Sequence, residues 1–213
     1  MIKGWRSMPI SLPVSIRTEK ISGGKDKNIY YPQVFKMKNV QLEQYINQKI
    51  VHQTQMLVNE LVGGDPASVV EIIGSYEIKN NQREVLSLSL SNYTYHYHAA
   101  HGMTIIKSLT FDLKEGKLCS LKDLFKPGSN YAGRLTELIE KQIKQREIEL
   151  LNPLPEIKPN QDFYIADKAL VIYFQLYEIT PYVFGFPMFP ISVYELMDII
   201  DENGPLGRMA ENN

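Results

Sequence analysis

The sequence is poor in cysteine, in net charge and in long apolar runs. Cys119 is the single cysteine among 213 residues, which excludes an intrachain disulfide framework. The formal net charge is −1, with lysine and glutamate scattered along the chain, so nothing in it favours nucleic acid or an anionic membrane surface. No apolar run approaches the roughly 20 residues that span a bilayer, and residues 1–13 show no apolar region typical of a signal peptide. We therefore expect a soluble chain that binds no nucleic acid.

Linear catalytic motifs are absent as well. The sequence contains no phosphate-binding loop, no Gly-x-Ser-x-Gly elbow and no His-Glu-x-x-His pair. Cys119 lies between Leu118 and Ser120 with no histidine nearby in sequence, so we interpret it as a small buried hydrophobe. Carboxylate pairs that meet only in three dimensions would leave no linear trace. We predict a non-enzymatic protein with no catalytic residues, no metal and no cofactor.

The stretch around residues 86–113 carries the clearest pattern. Its first part alternates leucine with serine, which is typical of a half-buried strand: Leu86, Leu88 and Leu90. From Tyr93 the bulky residues move to odd positions, while His96 takes the leucine parity. This change predicts either a bulge near Asn92 or a strand that passes from one layer to another.

Periodicity elsewhere predicts an α+β fold of two antiparallel-sheet modules, each covered by one long amphipathic helix. The predicted strands are 12–21, 28–34, 69–79, 84–98, 103–113, 163–165 and 169–174, and the predicted helices are 40–62 and 131–150. Residues 177–189 mix aromatics with proline and glycine and predict an ordered loop, followed by a short strand or helical turn at 191–200. We place a smaller module at 10–66, a larger one at 67–200 and a flexible polar tail at 201–213.

Three histidines fall within six residues: His96, His98 and His101. On an extended strand the first two would point to the same side, about 7 Å apart, and His101 could fold back to complete a zinc site. No cysteine or carboxylate lies in the same stretch, and the nearest acid, Asp112, follows a strand later. We favour partly exposed histidines at a strand end, and keep a metal-binding or hydrolytic protein as the alternative hypothesis.

Aromatic residues form two clusters in sequence, on either side of the histidines and in the Pro- and Gly-interrupted loop. Tyrosine combines apolar area with a polar handle, which suits recognition, although such rings also pack one layer on another. In our hypothesis Tyr182 and Phe184 act as apolar anchors and Glu178 contacts a basic partner. The candidate ligand-binding residues are Tyr93, Tyr95, Tyr97, His101, Gly102, Tyr177, Glu178, Tyr182 and Phe184.

Several motifs resemble a known bacterial module. Between Tyr97 and Phe125 they are the Ala-His-Gly turn, the run Ser-Leu-Thr-Phe-Asp-Leu-Lys-Glu-Gly-Lys and the Leu-Lys-Asp-Leu-Phe-Lys-Pro-Gly-Ser segment that continues beyond it. Together with Leu170-Val171-Ile172-Tyr173-Phe174 and Tyr177-Glu178-Ile179-Thr180-Pro181-Tyr182, they are similar to the C-terminal extracytoplasmic module of lysozyme-sensing anti-sigma-V factors. The same module precedes the catalytic domain of some peptidoglycan deacetylases. The region from Tyr31-Pro32-Gln33-Val34 to Ile46-Asn47 resembles the smaller companion module that usually stands before it.

The resemblance implies a non-enzymatic α+β domain on the outer side of a bacterial membrane, with lysozyme or peptidoglycan glycan as its ligand. The sequence shows no membrane anchor and no sigma-binding segment, so the signalling role is not carried over. It shows no deacetylase domain, so the deacetylase activity is not carried over either. It also has His98-Ala99-Ala100 where the family often has glycines, and His96 and His98 lie outside the family pattern. We expect an extracytoplasmic cell-envelope binding or sensor domain, although the cytoplasm stays open, as does a structural role in a larger secreted assembly.

Overall fold

The computed structural model describes residues 12–211, which form two β-sheets and three α-helices. The strands are β1 Ser15–Ser22, β2 Lys27–Phe35, β3 Val69–Gln82, β4 Val85–His96, β5 Met103–Asp112, β6 Lys117–Leu118, β7 Phe163–Ala166, β8 Ala169–Tyr173 and β9 Met188–Ser192. The helices are α1 Val40–Val62, α2 Tyr131–Gln145 and α3 Pro205–Ala210. The predicted α+β class is confirmed. Within residues 12–211, no helix is both long and apolar enough to cross a bilayer.

The first sheet has six strands in sequence order, β1 to β6. Every neighbouring pair is antiparallel except β2 and β3, which run parallel because α1 crosses between them. The predicted boundary at residues 66 and 67 falls between these two paired strands, so both predicted modules contribute to one sheet. The division into modules remains a proposal, and its first two residues, 10 and 11, lie outside the described residues.

Helix α1 occupies the predicted range 40–62 because its ends and its face are well specified. The Asn39 side chain accepts a hydrogen bond from the Leu42 N–H at 3.0 Å, and Gly63 ends the helix at φ +58°. The buried face comprises Leu42, Ile46, Ile50, Thr54, Leu57 and Leu61. Its apolar side chains share a core cluster with the leucines of β4.

Strand β4 keeps one register where a bulge was predicted near Asn92. Its pairing with β5 runs without a shift from Val85 to Thr94, and the irregularities in its pairing with β3 lie at Val69/Glu71 and Ile78/Asn80. The predicted bulge near Asn92 is therefore wrong. Both faces of β4 are covered in its first half, by α1 on the leucine side and by the second sheet on the serine side. Odd and even positions of β4 keep the same faces throughout, so the shift from leucine to tyrosine positions reflects what covers each face and not a change of side-chain direction.

The second sheet, in the order β7-β8-β9, lies across the serine face of the first. The Ser87 hydroxyl accepts a hydrogen bond from the Ile165 N–H at 3.0 Å and lies 2.8 Å from the Thr110 hydroxyl. The Tyr173 and Ser108 hydroxyls meet at 2.8 Å. Small polar side chains on β4 and β5 thus let β7 and β8 approach closely and supply hydrogen bonds between the sheets.

Helix α2 belongs to the second sheet, but it ends at Gln145 and not near residue 150 as predicted. Its residues Leu135, Leu138 and Ile139 enter the core with side chains of β7, β8 and β9. The side chains of Gln142 and of Arg146, the residue that follows the helix, donate hydrogen bonds at 2.8 Å to carbonyls of β9, which shields the edge of that strand. The prediction of one long helix over each sheet is therefore confirmed only in part: each sheet packs against a helix, but α2 has 15 residues and α1 has 23.

Replacing Ser87 with alanine is expected to lower the free energy of unfolding by about 1–3 kcal/mol, because the buried Ile165 N–H loses its acceptor. Urea denaturation followed by circular dichroism measures the change. Ser91→Ala is the matched control on the same face of β4, since the Ser91 hydroxyl makes no hydrogen bond within the described chain, and we expect less than about 0.5 kcal/mol there. Equal effects in the two variants would contradict a hydrogen bond that joins the sheets.

The polar tail predicted from Asp201 is wrong over its described part. Residues 205–209 are buried in α3. Arg208 forms a two-pronged ion pair with Asp112 at 2.7 and 3.4 Å and donates further hydrogen bonds to the Arg83, Glu84 and Asn203 carbonyls. The segment is ordered because Leu206 and Met209 enter the core and the buried charge of Arg208 has a partner on β5. Residues 212–213 lie outside the described residues.

Candidate functional site

Residues 174–187, which connect β8 to β9 and which we call the aromatic loop, lie along the outer edge of β5. This edge is open because β6 pairs only with Phe111 and Asp112. The Gln175 side chain accepts a hydrogen bond from the Ile106 N–H at 3.2 Å and donates one to the Ile106 carbonyl at 2.7 Å. The Tyr182 hydroxyl donates to the Gly102 carbonyl at 3.5 Å. The loop therefore takes the place of a further strand. It holds its rings against residues 97–102, the crossing that connects β4 to β5.

The Gln175 side chain is itself fixed by charged neighbours. Its amide donates to an Asp162 carboxylate oxygen at 2.8 Å, and the same carboxylate pairs with the Lys107 ammonium at 2.9 Å. The Gln175 backbone N–H donates to the Glu178 carboxylate at 2.8 Å. Glu178, the predicted acidic contact, is exposed, and one of its two oxygens closes this turn.

Three predicted ligand-binding residues, one from the crossing and two from the loop, meet at this edge: His101, Tyr177 and Tyr182. The His101 ring centroid lies 4.6 Å from that of Tyr182, and the Tyr177 and Tyr182 centroids are 5.4 Å apart. His101 Nδ1 lies 2.9 Å from the Gly102 carbonyl, which can only accept, so Nδ1 carries a proton. In the neutral ring Nε2 is then an acceptor for the Tyr177 hydroxyl at 3.3 Å.

Much of this cluster faces solvent. Val183 is 87% exposed, Phe184 47%, Tyr177 46% and Tyr182 38%. We call His101, Tyr177, Tyr182, Val183 and Phe184 the aromatic surface. Adjoining exposed apolar side chains of this kind mark a contact surface more often than isolated ones do. Sequence reasoning missed Val183; the signal was its place in a short turn between Pro181 and Gly185, which points its side chain outward.

The other predicted aromatics have different surroundings. Tyr93 is half-buried across Gly102, where a Cβ would overlap the tyrosine ring, so glycine is required for this packing. Tyr95 is half-buried and its hydroxyl donates to the Ala99 carbonyl at 3.2 Å. Tyr97 is 67% exposed, with its ring 3.9 Å from that of His98. Tyr93 and Tyr95 therefore support the crossing, and only Tyr97 is freely accessible.

The three histidines do not converge, which contradicts the alternative of a metal site built on them. His96 uses both ring nitrogens within the protein, at 2.7 Å from the Ser68 hydroxyl and 2.8 Å from the Leu61 carbonyl at the end of α1. His98 lies against Tyr97, and His101 belongs to the aromatic surface. Among residues 12–211, no three His, Cys, Asp or Glu side chains are arranged to hold a metal ion. The three histidines are close in sequence, but each contacts a different part of the structure: the end of α1, Tyr97 and the aromatic surface.

The single thiol is not activated as a nucleophile. Cys119 is only 6% exposed, and burial raises the pKa of its thiol to about 11. At neutral pH the thiol is therefore protonated almost completely, whereas the thiolate is the nucleophilic form. The interpretation of Cys119 as a small buried hydrophobe is confirmed.

Comparisons with known proteins agree with this fold. Residues 122–194 match the family described as protein of unknown function DUF3298, and residues 25–104 match the family described as deacetylase PdaC. The chain is 29% identical over 202 residues to the anti-sigma-V factor RsiV of Bacillus subtilis strain 168, covering 88% of this chain and 69% of that protein. The aromatic surface lies where the two matched segments meet, since His101 belongs to one and Tyr177 to the other.

Two crystal structures of DUF3298 proteins share the fold. One, from Bacteroides fragilis NCTC 9343, has a TM-score of 0.68 at 16% identity and covers 94% of this chain and 99% of its own. The other, from Pseudomonas aeruginosa PAO1, has a TM-score of 0.69 at 14% identity and covers 95% and 98%. The resemblance inferred from the sequence is confirmed: the chain is similar to an anti-sigma-V factor, and two of its segments match the families described as deacetylase PdaC and as DUF3298.

Proposed function

We propose that this chain is a cell-envelope sensor-type domain that binds a protein partner through the aromatic surface and catalyses no reaction. The observation that carries the proposal is the exposed cluster of His101, Tyr177, Tyr182, Val183 and Phe184. The Tyr177 hydroxyl is hydrogen-bonded to His101 and the Tyr182 hydroxyl to the Gly102 carbonyl, so these rings lose little conformational freedom on binding. A regulatory relative, an anti-sigma factor, supports a binding role.

The partner that we favour is a lysozyme-like protein met outside the cell membrane. Tyr182, Val183 and Phe184 offer apolar anchors of the type that dominates protein interfaces. Glu178 is an exposed residue four positions before Tyr182 in the same loop. It has one carboxylate oxygen left for a basic partner, although its other oxygen is engaged with the Gln175 backbone N–H. Apolar anchors in the same loop as an exposed acid suit a cationic protein surface.

Peptidoglycan glycan is the second ligand class. The His101 and Tyr177 rings are close to parallel, with an interplanar angle of 29° and centroids 6.4 Å apart. Two exposed rings in this arrangement could form a platform for sugar rings. The glycan hypothesis requires that these ring faces, and not the Val183 and Phe184 side chains, dominate binding.

Calorimetric and NMR titrations of the chain with purified lysozyme test the proposal. We expect saturable heat and chemical-shift changes at the aromatic surface. No heat and no shift up to high micromolar lysozyme would eliminate this partner. Shifts produced by soluble peptidoglycan fragments alone would assign the surface to glycan. Because residues 25–104 match a family described as a deacetylase, the purified chain should also be assayed for deacetylation of such fragments. Activity in this assay would overturn the proposal that the chain catalyses no reaction.

A further inference from the structure

A cleft lies between the two sheets, and none of the residues of the aromatic surface lines it. Its volume is about 150 Å³. Its floor is the uncovered part of the serine face, with Ser75, Ser89 and Ser91, and Tyr164 and Met188 of the second sheet form its far side. Both family-matched segments therefore contribute to it.

A β-bulge directs a lysine into this cleft. The register of β3 against β4 shifts between Ile78 and Asn80, which leaves Lys79 without a pairing partner in β4. Bulges re-aim side chains in this way. The Lys79 ammonium lies 4.7 Å from the centre of the Tyr164 ring, and the side chain is only 18% exposed. A cation this deeply covered, at a cleft wall, is an attractive group for an anion.

The ion pair that Lys79 makes leaves it available. Its partner Glu77 has a side chain that is 69% exposed. Pairs with such an exposed member contribute only about 0–1 kcal/mol. A ligand carboxylate that is shielded from water by the cleft can therefore replace Glu77 at the ammonium.

The serine hydroxyls are available too. Ser87 uses its hydroxyl to join the sheets, but the hydroxyls of Ser75, Ser89 and Ser91 make no hydrogen bond to protein groups in the described part of the chain. Ser89 is only 6% exposed, so its hydroxyl is largely removed from bulk water. Unpaired donors at a largely buried position favour a polar ligand group.

The apolar side chains of the cleft come from both sheets. Ile106 lies beside Ser91 in the first sheet, Met188 belongs to the second, and the Tyr164 hydroxyl contacts the Met188 sulfur at 3.5 Å. Burial raises the pKa of the Tyr164 phenol, so it stays neutral. The faces of its ring are partly occupied, by Lys79 and by Tyr173 at a centroid distance of 5.8 Å. Little ring face is left for stacking a sugar.

We propose that this cleft binds a small carboxylate with an apolar body, of the size of a free amino acid or the C-terminal residue of a peptide. The carboxylate would meet the Lys79 ammonium and the serine hydroxyls, and the apolar body would contact Ile106 and Met188. The cleft has the volume of about five water molecules, which suits one small group such as a carboxylate with a short apolar body. The inference does not depend on the function proposed for the aromatic surface.

Titration of the ¹⁵N-labelled chain with sodium propionate tests this site. We expect saturable amide shifts centred on Ser75, Ser89 and Ser91. Lys79→Met should abolish them, because methionine keeps the apolar part of the side chain and loses the charge. Glu77→Gln should tighten binding by up to about fivefold, since the competing carboxylate is gone.

Matched controls make the test decisive. Lys49→Met is the control variant, because the Lys49 ammonium also lies over a tyrosine ring, at 5.4 Å from the centre of Tyr45, but on α1. It should bind propionate as the unchanged chain does. Propylamine and glucose are the control ligands. The proposal is overturned if propionate gives no saturable shift, if either control ligand gives the same shifts, or if folded Lys79→Met, judged by its spectrum, still responds.

Discussion

Replacing Arg208 with methionine is expected to lower the free energy of unfolding by about 3–5 kcal/mol. The substitution leaves the Asp112 carboxylate, which is 2% exposed, without its cation. It also removes the hydrogen bonds that hold α3 to the turn between β3 and β4, where Arg208 Nε donates to the Arg83 carbonyl at 3.1 Å. Urea denaturation monitored by circular dichroism measures the loss.

An exposed ion pair supplies the comparison for Arg208. Arg17 pairs with Glu19 at 2.8 Å, with side chains 57% and 37% exposed, and Arg17→Met should change stability by no more than about 1 kcal/mol. The double variant Asp112→Leu/Arg208→Met should recover part of the loss, because it leaves no buried charge unpaired. A loss at Arg208 as small as that at Arg17 would show that the buried pair does not hold α3 in place.

Replacing Tyr182 with alanine is expected to weaken lysozyme binding by at least about 2 kcal/mol, or roughly 30-fold. Tyr182 lies at the centre of the aromatic surface, in ring contact with both His101 and Tyr177. Val183→Asp should weaken binding to a similar degree, because a charge would replace the most exposed apolar side chain of the surface. Isothermal titration calorimetry gives both values.

Tyr30→Ala is the control for these variants, because Tyr30 is 43% exposed but lies on β2. We expect unchanged affinity for this variant. Thermal unfolding of all three proteins should confirm that they stay folded. If Tyr182→Ala and Val183→Asp bind lysozyme as tightly as Tyr30→Ala does, the aromatic surface is not the binding surface.

Local patterns were enough to predict most individual elements. The helix at 40–62 was predicted at its observed ends, because Asn39 and Gly63 cap an apolar face of regular spacing. The predicted strand at 103–113 agrees with β5 to within one residue, because Ile105, Leu109 and Phe111 share one parity and pack in the core cluster with α1. These elements depend on contacts within a few residues, which a single sequence displays directly.

Long-range pairing left no comparable signal. The parallel contact of β2 with β3 joins only residues 27–29 to residues 72–74, too few to impose a pattern on either strand. The serines of β4 matched an ordinary solvent-facing side, although Ser87 is fully buried beneath the second sheet. The polar segment around Arg208 was assigned to a tail because its partner Asp112 lies 96 residues away.

The candidate site was predicted only in part, because residue type along the chain does not show which side chains meet in the fold. Tyr177 and Tyr182 were selected because tyrosines in a proline-interrupted loop suggest recognition, and the structure brings them to His101. Val183 was missed because valine is ordinarily a core residue. His96 was grouped with His98 and His101 because an extended strand would place the first two on the same side. However, β4 ends at His96, His98 has φ +64° in the following turn, and His96 is hydrogen-bonded to Ser68.

The six-stranded sheet continues past residue 104, where the first family-matched segment ends, and this bears on how the protein can be cut. Strand β5 begins at Met103, where the first matched segment is about to end, and pairs with β4 over ten residue pairs. A fragment that stops near residue 104 would expose the whole β4 edge with its leucines, and such an edge promotes aggregation. Recombinant pieces designed from the family boundaries should therefore be insoluble, and limited proteolysis of the whole chain should spare β4 and β5 themselves.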